Sequence, residues 1–552
     1  MTRTARAFSS FRVPGPVAVV ALVALVALCT SGCSLAPDYE RPAMPVADSW
    51  NGQESEPVSG GTPVSGSEAS AAPTMAAVAD VPWQDFVSDP RLRSVIDLAL
   101  DNNRDLRIAA LHVERARAAY RIQRSDLYPK VGASAGAQSF SFATDFGGDS
   151  SSGGSSTSTF EQFSVDLGIA SWELDFFGRI RSLKAAALEQ YFATQEAQVA
   201  TQVALVSEVA SAYLALAADT ESLQLAQDTL KAQQESYDLI QKSTDLGMAS
   251  DLDLRQAQSQ VDGSRADVAR IRGLIARDRN ALALLAGAPV APDLLPDGLG
   301  AVTEMRDLAP GLPSEVLLDR PDVLVAEHRL KAANADIGAA RAAFFPRIAL
   351  TGSGGTLSSS LSGLFKTGTG VWSFVASIDQ PIFQAGALRA GVDVSTVERD
   401  LAVAQYEKAI QTAFTEVNDA LAQRETLADQ QAAQKSLVAG LNEAYRLSKA
   451  RYDAGVDGYL NVLVAERSLY AARQGLVGVR LADQLNLVTL FKVLGGGGPV
   501  AAAGAGGSKQ SAESTGSSGM TGGTAGSAGL GEEETGYSGA ANGSSTRKGS
   551  RK

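Results

Sequence analysis

An internal repeat constrains this chain more than any other feature. Leu127-Tyr128-Pro129-Lys130-Val131 closes one helical stretch and Phe344-Phe345-Pro346-Arg347-Ile348 closes another. Each is followed by alternating residues, a Gly-x-x-Arg (Gly178 to Arg181, Gly386 to Arg389), a very long helical pattern and a glycine bend (Gly247, Gly455). From Gly178 to Gly247 the register to the second copy is constant, because 386 minus 178 and 455 minus 247 both give 208. Repetition on this scale has to be recognised before any fold is assigned. It makes the chain one supersecondary unit built twice: helix, two strands, long helix, return helix.

In the first copy, Asp89-Pro90-Arg91-Leu92 opens a helix, and Leu92, Val95, Ile96, Ala99 and Leu100 fall at helical spacing. That pattern runs to Tyr128, where Pro129 stops it. The period then changes to two. Phe163, Val165, Leu167 and Ile169 alternate with Gln162, Ser164, Asp166 and Gly168. In the second copy Trp372, Phe374, Ala376 and Ile378 alternate with Val371, Ser373, Val375 and Ser377. Strands are expected at about 131–142, 160–174, 347–355 and 369–383. Apolar residues on one side and small or polar ones on the other suit a membrane β-strand. A soluble hairpin packed on helices would give the same alternation.

The long helical patterns run from about Arg181 to Lys242 and through the matching stretch of copy two. Leu216, Leu223, Leu230 and Tyr237 recur every seventh residue, which is the mark of a coiled-coil-like seam. About sixty residues at 1.5 Å each make a rod of roughly 90 Å. Its Gln, Glu, Asp and Lys content places it in water. After the bends at Gly247 and Gly455, return helices of about half that length follow, Leu252 to Ala286 and Leu460 to Leu494.

Four strands cannot close a barrel, and lipid tolerates no open sheet edge. A membrane sheet of this kind therefore has to be completed by other copies. Two copies give a narrow eight-stranded barrel, three give twelve strands and room for a pore, and the residues alone leave that choice open.

The chain ends fix the compartment. Arg3, Arg6 and Arg12 precede an apolar run from Val17 to Leu28, too short for a comfortable span, so residues 1–32 read as an export signal. The run ends in Thr30-Ser31-Gly32-Cys33, similar to a bacterial lipoprotein box, which makes Cys33 the expected lipidation site and the new N-terminus. Removing three arginines takes the formal net charge from −13 to −16. An acidic chain without a basic stripe argues against nucleic acid as partner. Only Cys29 and Cys33 occur, so the exported protein has no disulfide, and its stability rests on packing and assembly. Residues 33–80 read as an extended leader, 81–298 and 299–497 as the two repeats, and 498–552 as a Gly/Ser-rich disordered tail.

In combination these segments resemble the TolC-type outer-membrane efflux factors, in particular their lipoprotein (NodT-like) branch. The resemblance rests on Trp83 with Asp89-Pro90-Arg91-Leu92 and Asn102-Asn103, on Trp172-Glu173-Leu174-Asp175-Phe176-Phe177-Gly178-Arg179, and on Asp319-Arg320-Pro321-Asp322. It rests equally on Gln380-Pro381-Ile382-Phe383 and on Arg451-Tyr452-x-x-Gly455-Val456-Asp457-x-Tyr459-Leu460. It implies an α+β fold in which each chain gives four strands to a trimeric twelve-stranded β-barrel above a long α-helical periplasmic tunnel. It also implies a passive exit duct, with a periplasmic adaptor protein and an inner-membrane pump as partners and a lipid on Cys33. The seven strand residues Phe163, Val165, Leu167, Ile169, Trp372, Phe374 and Ile378 would then face lipid.

Such tunnels close at their periplasmic tips, where threefold symmetry turns any side chain into a ring of three. Asp251, Asp253 and Asp457 are the expected carboxylates, Tyr452 and Asn461 their partners, and Leu460 a hydrophobic constriction; Gly247 and Gly455 are the expected adaptor contacts. Each residue also has a local reading. Ser250-x-x-Asp253 is a capping-box pattern, Asp457 sits where a helix N-cap would, and the glycines suit turns needing positive φ. Relatives carry an aspartate where this chain has Val464, which shifts weight from acidic rings to Leu460 packing. Histidine occurs only at His112 and His328, without a metal-ligand companion, and no nucleophile, phosphate-loop or zinc motif is present, so an enzyme is not expected. The alternative function is a lipid-anchored periplasmic coiled-coil scaffold without a pore.

Overall fold

The computed structural model describes residues 34–47, 49–50, 82–143, 157–306 and 314–496, all within one compact unit. Cys33, the signal segment and the C-terminal tail lie outside the described residues. After a single helical turn, Trp83–Phe86, the order is α1 (Pro90–Asn102), α2 (Arg104–Ser125), β1 (Val131–Ala143), β2 (Thr157–Leu174), α3 (Arg179–Asp245) and α4 (Asp251–Ala286). The second copy follows as α5 (Pro321–Ala342), β3 (Arg347–Ser358), β4 (Gly370–Asp379), α6 (Ala387–Asp453) and α7 (Tyr459–Val493).

The two long helices have the same length, 67 residues, which at 1.5 Å per residue is about 100 Å. Both start behind a left-handed glycine, Gly178 (φ 75°) and Gly386 (φ 89°). Both end in the same motif. Gly247 and Gly455 take φ of 72° and 71°, and the amides of Met248 and Val456 bond back to the carbonyls of Ser243 and Arg451 at 2.8 and 2.9 Å. That is a Schellman stop, and it needs a residue free to adopt positive φ.

The expected single helix from 92 to 128 is two helices. Asn103 takes an extended conformation (ψ 134°), its side-chain oxygen accepts from the Leu106 amide at 2.9 Å, and its amide donates to the Leu285 carbonyl. Asparagine competes for backbone bonds and so ends one helix while capping the next. β4 stops at Asp379, short of the expected 383, where Gln380 turns its amide to the Phe344 carbonyl and Pro381 has no N–H to give.

The strands form one antiparallel sheet in the order β1-β2-β3-β4, with β1 and β4 as its edges. α3 is the axis of the helical part, packing on α2, α4, α5 and α7, while α6 packs on α5 and α7. The main core lies around the middle of the long helices. Trp83 is 1% exposed, Phe86 stacks on Phe491 at 4.3 Å, and Tyr213, Tyr406, Leu282 and Leu317 fill the space between. One α3 window is long and apolar enough to cross a membrane, but half of it is buried inside the chain, as a core helix would be. A second small core, with Ile240, Ala257, Tyr459, Val462 and Leu463, joins the four helix ends near the glycine bends.

Candidate functional site

Strand register brings all seven expected lipid-facing residues to one side of the sheet. Ile169, Leu167, Val165 and Phe163 on β2 stand opposite Val131, Ala133, Ala135 and Ala137 on β1. On their other flank they meet Gly352, Gly354, Thr356 and Ser358 of β3. Gly352 and Gly354 in turn oppose Phe374 and Trp372, and Ile348 opposes Ile378. A bulge between Ile169 and Trp172 inserts one residue, with Ser171 at φ 49° and its amide on Thr351 Oγ1 at 3.2 Å. The insertion shifts the pleat, so Trp172 and Leu174 continue the apolar side. From Phe163 to Leu174 the band is about 25–30 Å tall at the usual barrel tilt, close to a hydrocarbon core.

The opposite side carries Gly132, Ser134, Gly136, Ser164, Asp166, Gly168, Ser353 and Ser373. Here Ser353 and Ser373 share a 2.8 Å hydroxyl contact. Trp372 is 81% exposed, Ile378 70%, Phe374 64% and Leu167 60%, so none of the described residues covers the apolar side. An open apolar surface of this kind marks a contact with a membrane or a partner.

Where the sheet meets the helices, charges fasten strand to helix. Arg179 grips Glu173 through two bonds of 2.8 and 2.7 Å, and Asp175 accepts from the Arg181 amide at 2.8 Å, supplying the cap that Gly178 cannot.

At the first tip, Ser250 Oγ accepts from the Asp253 amide (3.1 Å) and Asp253 accepts from the Ser250 amide and hydroxyl, so Asp253 is part of a full capping box. Asp251 opens α4 and is exposed. At the second tip the expectation of an Asp457 N-cap is corrected. The N-cap position is Gly458, with no side-chain cap bond, and Asp457 instead forms a two-point ion pair with Arg451 at 2.7 and 3.1 Å. The Arg451 guanidinium holds the Asp457 carboxyl below its ordinary range, and Asn461 adds a hydrogen bond in the same direction. The side chain faces back along α6, because the Schellman turn carries the chain past Arg451 just before Asp457.

Tyr452 packs edge-on against Tyr459 at 5.6 Å, and burial together with the Asp253 charge raises its phenol. Leu460 and Val464, one helical turn apart, are 54% and 55% exposed and form an uncovered apolar face on α7. Around Gly247 and Gly455 a Cβ would meet nothing within 4 Å, so both bends are open to a partner as well as being turns.

Two features have no motif in the sequence. Glu466, 7% exposed, lies where α7 meets α3, and burial raises its carboxyl against a hydrogen bond from Gln233. The second is the described start of the leader, from residue 34 to 47, which lies along α5. Glu327, 2% exposed, accepts from Tyr39 (3.1 Å) and Arg41 (2.8 and 3.1 Å) and pairs with Lys331. Burial pushes its carboxyl up, but the bonds from Lys331 and Arg41 outweigh this and hold it below its ordinary range. Asn334 donates to the Pro37 carbonyl at 2.8 Å, and Trp50 stacks on Phe414 at 5.2 Å.

An apolar sheet side of membrane height above 100 Å helices that turn at open glycine bends defines a membrane-embedded channel wall with a long aqueous extension. The chain belongs to the outer membrane efflux protein family, whose pattern it matches over residues 95–288 and 312–496. It is 43% identical over 476 residues to the probable efflux pump outer membrane protein TtgC of Pseudomonas putida, covering 86% of this chain and 95% of that one. Among solved structures, a membrane protein from Pseudomonas aeruginosa superposes with a TM-score of 0.76 at 42% identity, covering 84% of this chain and 98% of the other. The open state of the MtrE outer membrane channel of Neisseria gonorrhoeae gives 0.72 at 39% identity, with 84% and 98% covered. The protein is thus an outer-membrane channel subunit of an efflux system, with its helices forming a periplasmic tunnel, and the poreless scaffold is set aside.

Proposed function

We propose that three copies share one twelve-stranded barrel and form a passive exit duct of a tripartite efflux system. A periplasmic adaptor meets the Gly247 and Gly455 bends, an inner-membrane pump supplies the energy, and a lipid on Cys33 anchors each chain. The observation that carries this is the sheet itself: four strands in linear order which, among the described residues, have no partner at the β1 and β4 edges and no cover on the apolar side. Such a sheet is stable in lipid only when neighbouring copies pair its edges. Three copies give a lumen lined by the Ser, Gly and Asp side, whereas two would leave a barrel filled by side chains. Rings of Leu460 and Val464, flanked by Asp251 and Asp253, narrow the tip. The duct carries out no catalytic step.

The test is a pair of cysteines, Gly132→Cys on β1 and Ser377→Cys on β4, both at the tunnel end of the sheet and on its polar side. Within one chain two strands separate them, about 14 Å, too far for a disulfide. Oxidation of outer membranes should give covalent trimers on denaturing gels. Monomers alone would refute the shared barrel.

A further inference from the structure

The leader does more than cross the tunnel surface. Its course along α5 runs from Arg41 at Glu327, past Pro37 at Asn334, to Leu35, whose carbonyl accepts from Arg341 at 3.3 Å. Gly338 allows the close approach, since a Cβ there would lie 2.8 Å from the Ala36 amide nitrogen. The described chain therefore begins, at Ser34, beside the last turn of α5 and just below Pro346, where β3 enters the sheet.

An open groove of about 430 Å³ lies there, lined by Leu35, Phe344, Phe345 and Val392 together with Arg341, Arg389 and Asp393. Phe344 is 44% exposed and Phe345, stacked on Phe177, 38%. Nearby Ile382 and Phe383 are 95% and 86% exposed, completing an apolar collar at the foot of the barrel, the level of the inner-leaflet boundary.

We infer that this groove seats an acyl chain of the lipid carried by Cys33. The inference rests on the proposed lipidation. One residue of chain, Ser34, separates Cys33 from Leu35, which is itself part of the groove wall, and a residue spans at most about 3.6 Å. Two such steps keep the attachment point within about 7 Å of Leu35 along the chain, short compared with an acyl chain. Arg341, which already donates to the Leu35 carbonyl, and Arg389, which shares the lining with Asp393, have further N–H groups that suit the carbonyl and glyceryl oxygens of such a lipid. Seated in this way, the lipid is part of the junction between barrel and tunnel as well as an anchor, and it fixes the height of the strap along α5.

The test uses the full chain in cells fed a palmitate analogue with a diazirine near its end. After illumination, the mass of the N-terminal peptide reports the lipid, and crosslinked tryptic peptides report where it lies. Crosslinks on peptides 342–347 and 390–399 are expected, and Val392→Trp, which fills the groove, should retain the lipid mass while losing them. A chain without lipid at Cys33 would overturn the lipidation and the seat together. A lipidated chain crosslinked only elsewhere would overturn the seat alone. Undiminished crosslinks in Cys33→Ser would assign the groove to free phospholipid and also overturn it.

Discussion

Leu167→Arg puts the orientation of the sheet to the test. Leu167 lies midway along the apolar side of β2, between Ala133 and Gly354, and is 60% exposed in the single chain. An arginine on the lipid side near the midplane costs about 2–4 kcal/mol. Per chain that is roughly a 30- to 900-fold loss in the assembly equilibrium. In the proposed trimer the cost is incurred three times, about 6–12 kcal/mol, comparable to the whole stability of a typical domain. Ser134→Arg is the matched control, because Ser134 lies on the other side of the sheet, opposite Asp166, whose carboxylate can pair with it. The assay is the yield of oligomer in outer-membrane fractions on semi-native gels without boiling. The Leu167 variant should lose the oligomer and the Ser134 variant should keep it. Equal yields for the two would refute the assignment of the apolar side to lipid.

Asp457→Ala frees Arg451 from its ion pair at the second tip, and single-channel recordings should show a raised leak conductance with an unchanged melting temperature; unchanged conductance at low and high salt would leave the pair without a part in closure. Asp219 on α3, pushed up to about 6 by burial and by Asp278 beside it, against the lowering effect of Arg270 and Arg277, makes stability depend on pH. Its folded value lies above the unfolded 3.8, so the group stabilises the fold below about pH 4 and that contribution is lost as pH rises through 6. The shift corresponds to about 3 kcal/mol at face value and to about 1 kcal/mol once screening of this partly exposed carboxyl is allowed for. Asp219→Asn should flatten the thermal stability profile between pH 4 and 7, and a profile parallel to that of the unaltered chain would count against the pairing with Asp278.

The architecture was legible in the sequence because it is written twice. Period-two alternation named the apolar side of β2 and β4, and the glycine pair named both long-helix ends, since a Schellman turn leaves a mark at one position. The bulge also left a signal, because Ile169 and Trp172 are both apolar across an odd interval and the pleat has to slip between them. Other features depend on contacts that spacing does not encode. Arg41 and Glu327 are 286 positions apart, and neither sits in a pattern that demands the other. Asp457 reads as a cap because it precedes a helix. The fold gives it to Arg451 instead, since the turn after Gly455 returns the chain to the end of α6. The break at Asn103 was hidden for a different reason: its apolar neighbours keep helical spacing on both sides of it.

The two long helices are equal in length and register, yet the fold uses them unequally. α3 buries residues along most of its course, down to Gln233 and Ile240 near the tip, because α2, α4, α5 and α7 surround it. α6 has no buried residue after Leu427, and its tipward half shows Leu437 and Leu447 at 48% exposure each. Within one chain a single small core holds both tips, with Ile240 and Ala257 from the first and Tyr459, Val462 and Leu463 from the second. The first tip adds a capping box, and the second adds the exposed Arg451–Asp457 pair. In the proposed trimer a neighbouring copy covers the exposed apolar residues in the tipward half of α6, which its own chain leaves open. Loss of the exposed ion pair at the end of that helix is accordingly expected to register as conductance while hardly registering as stability.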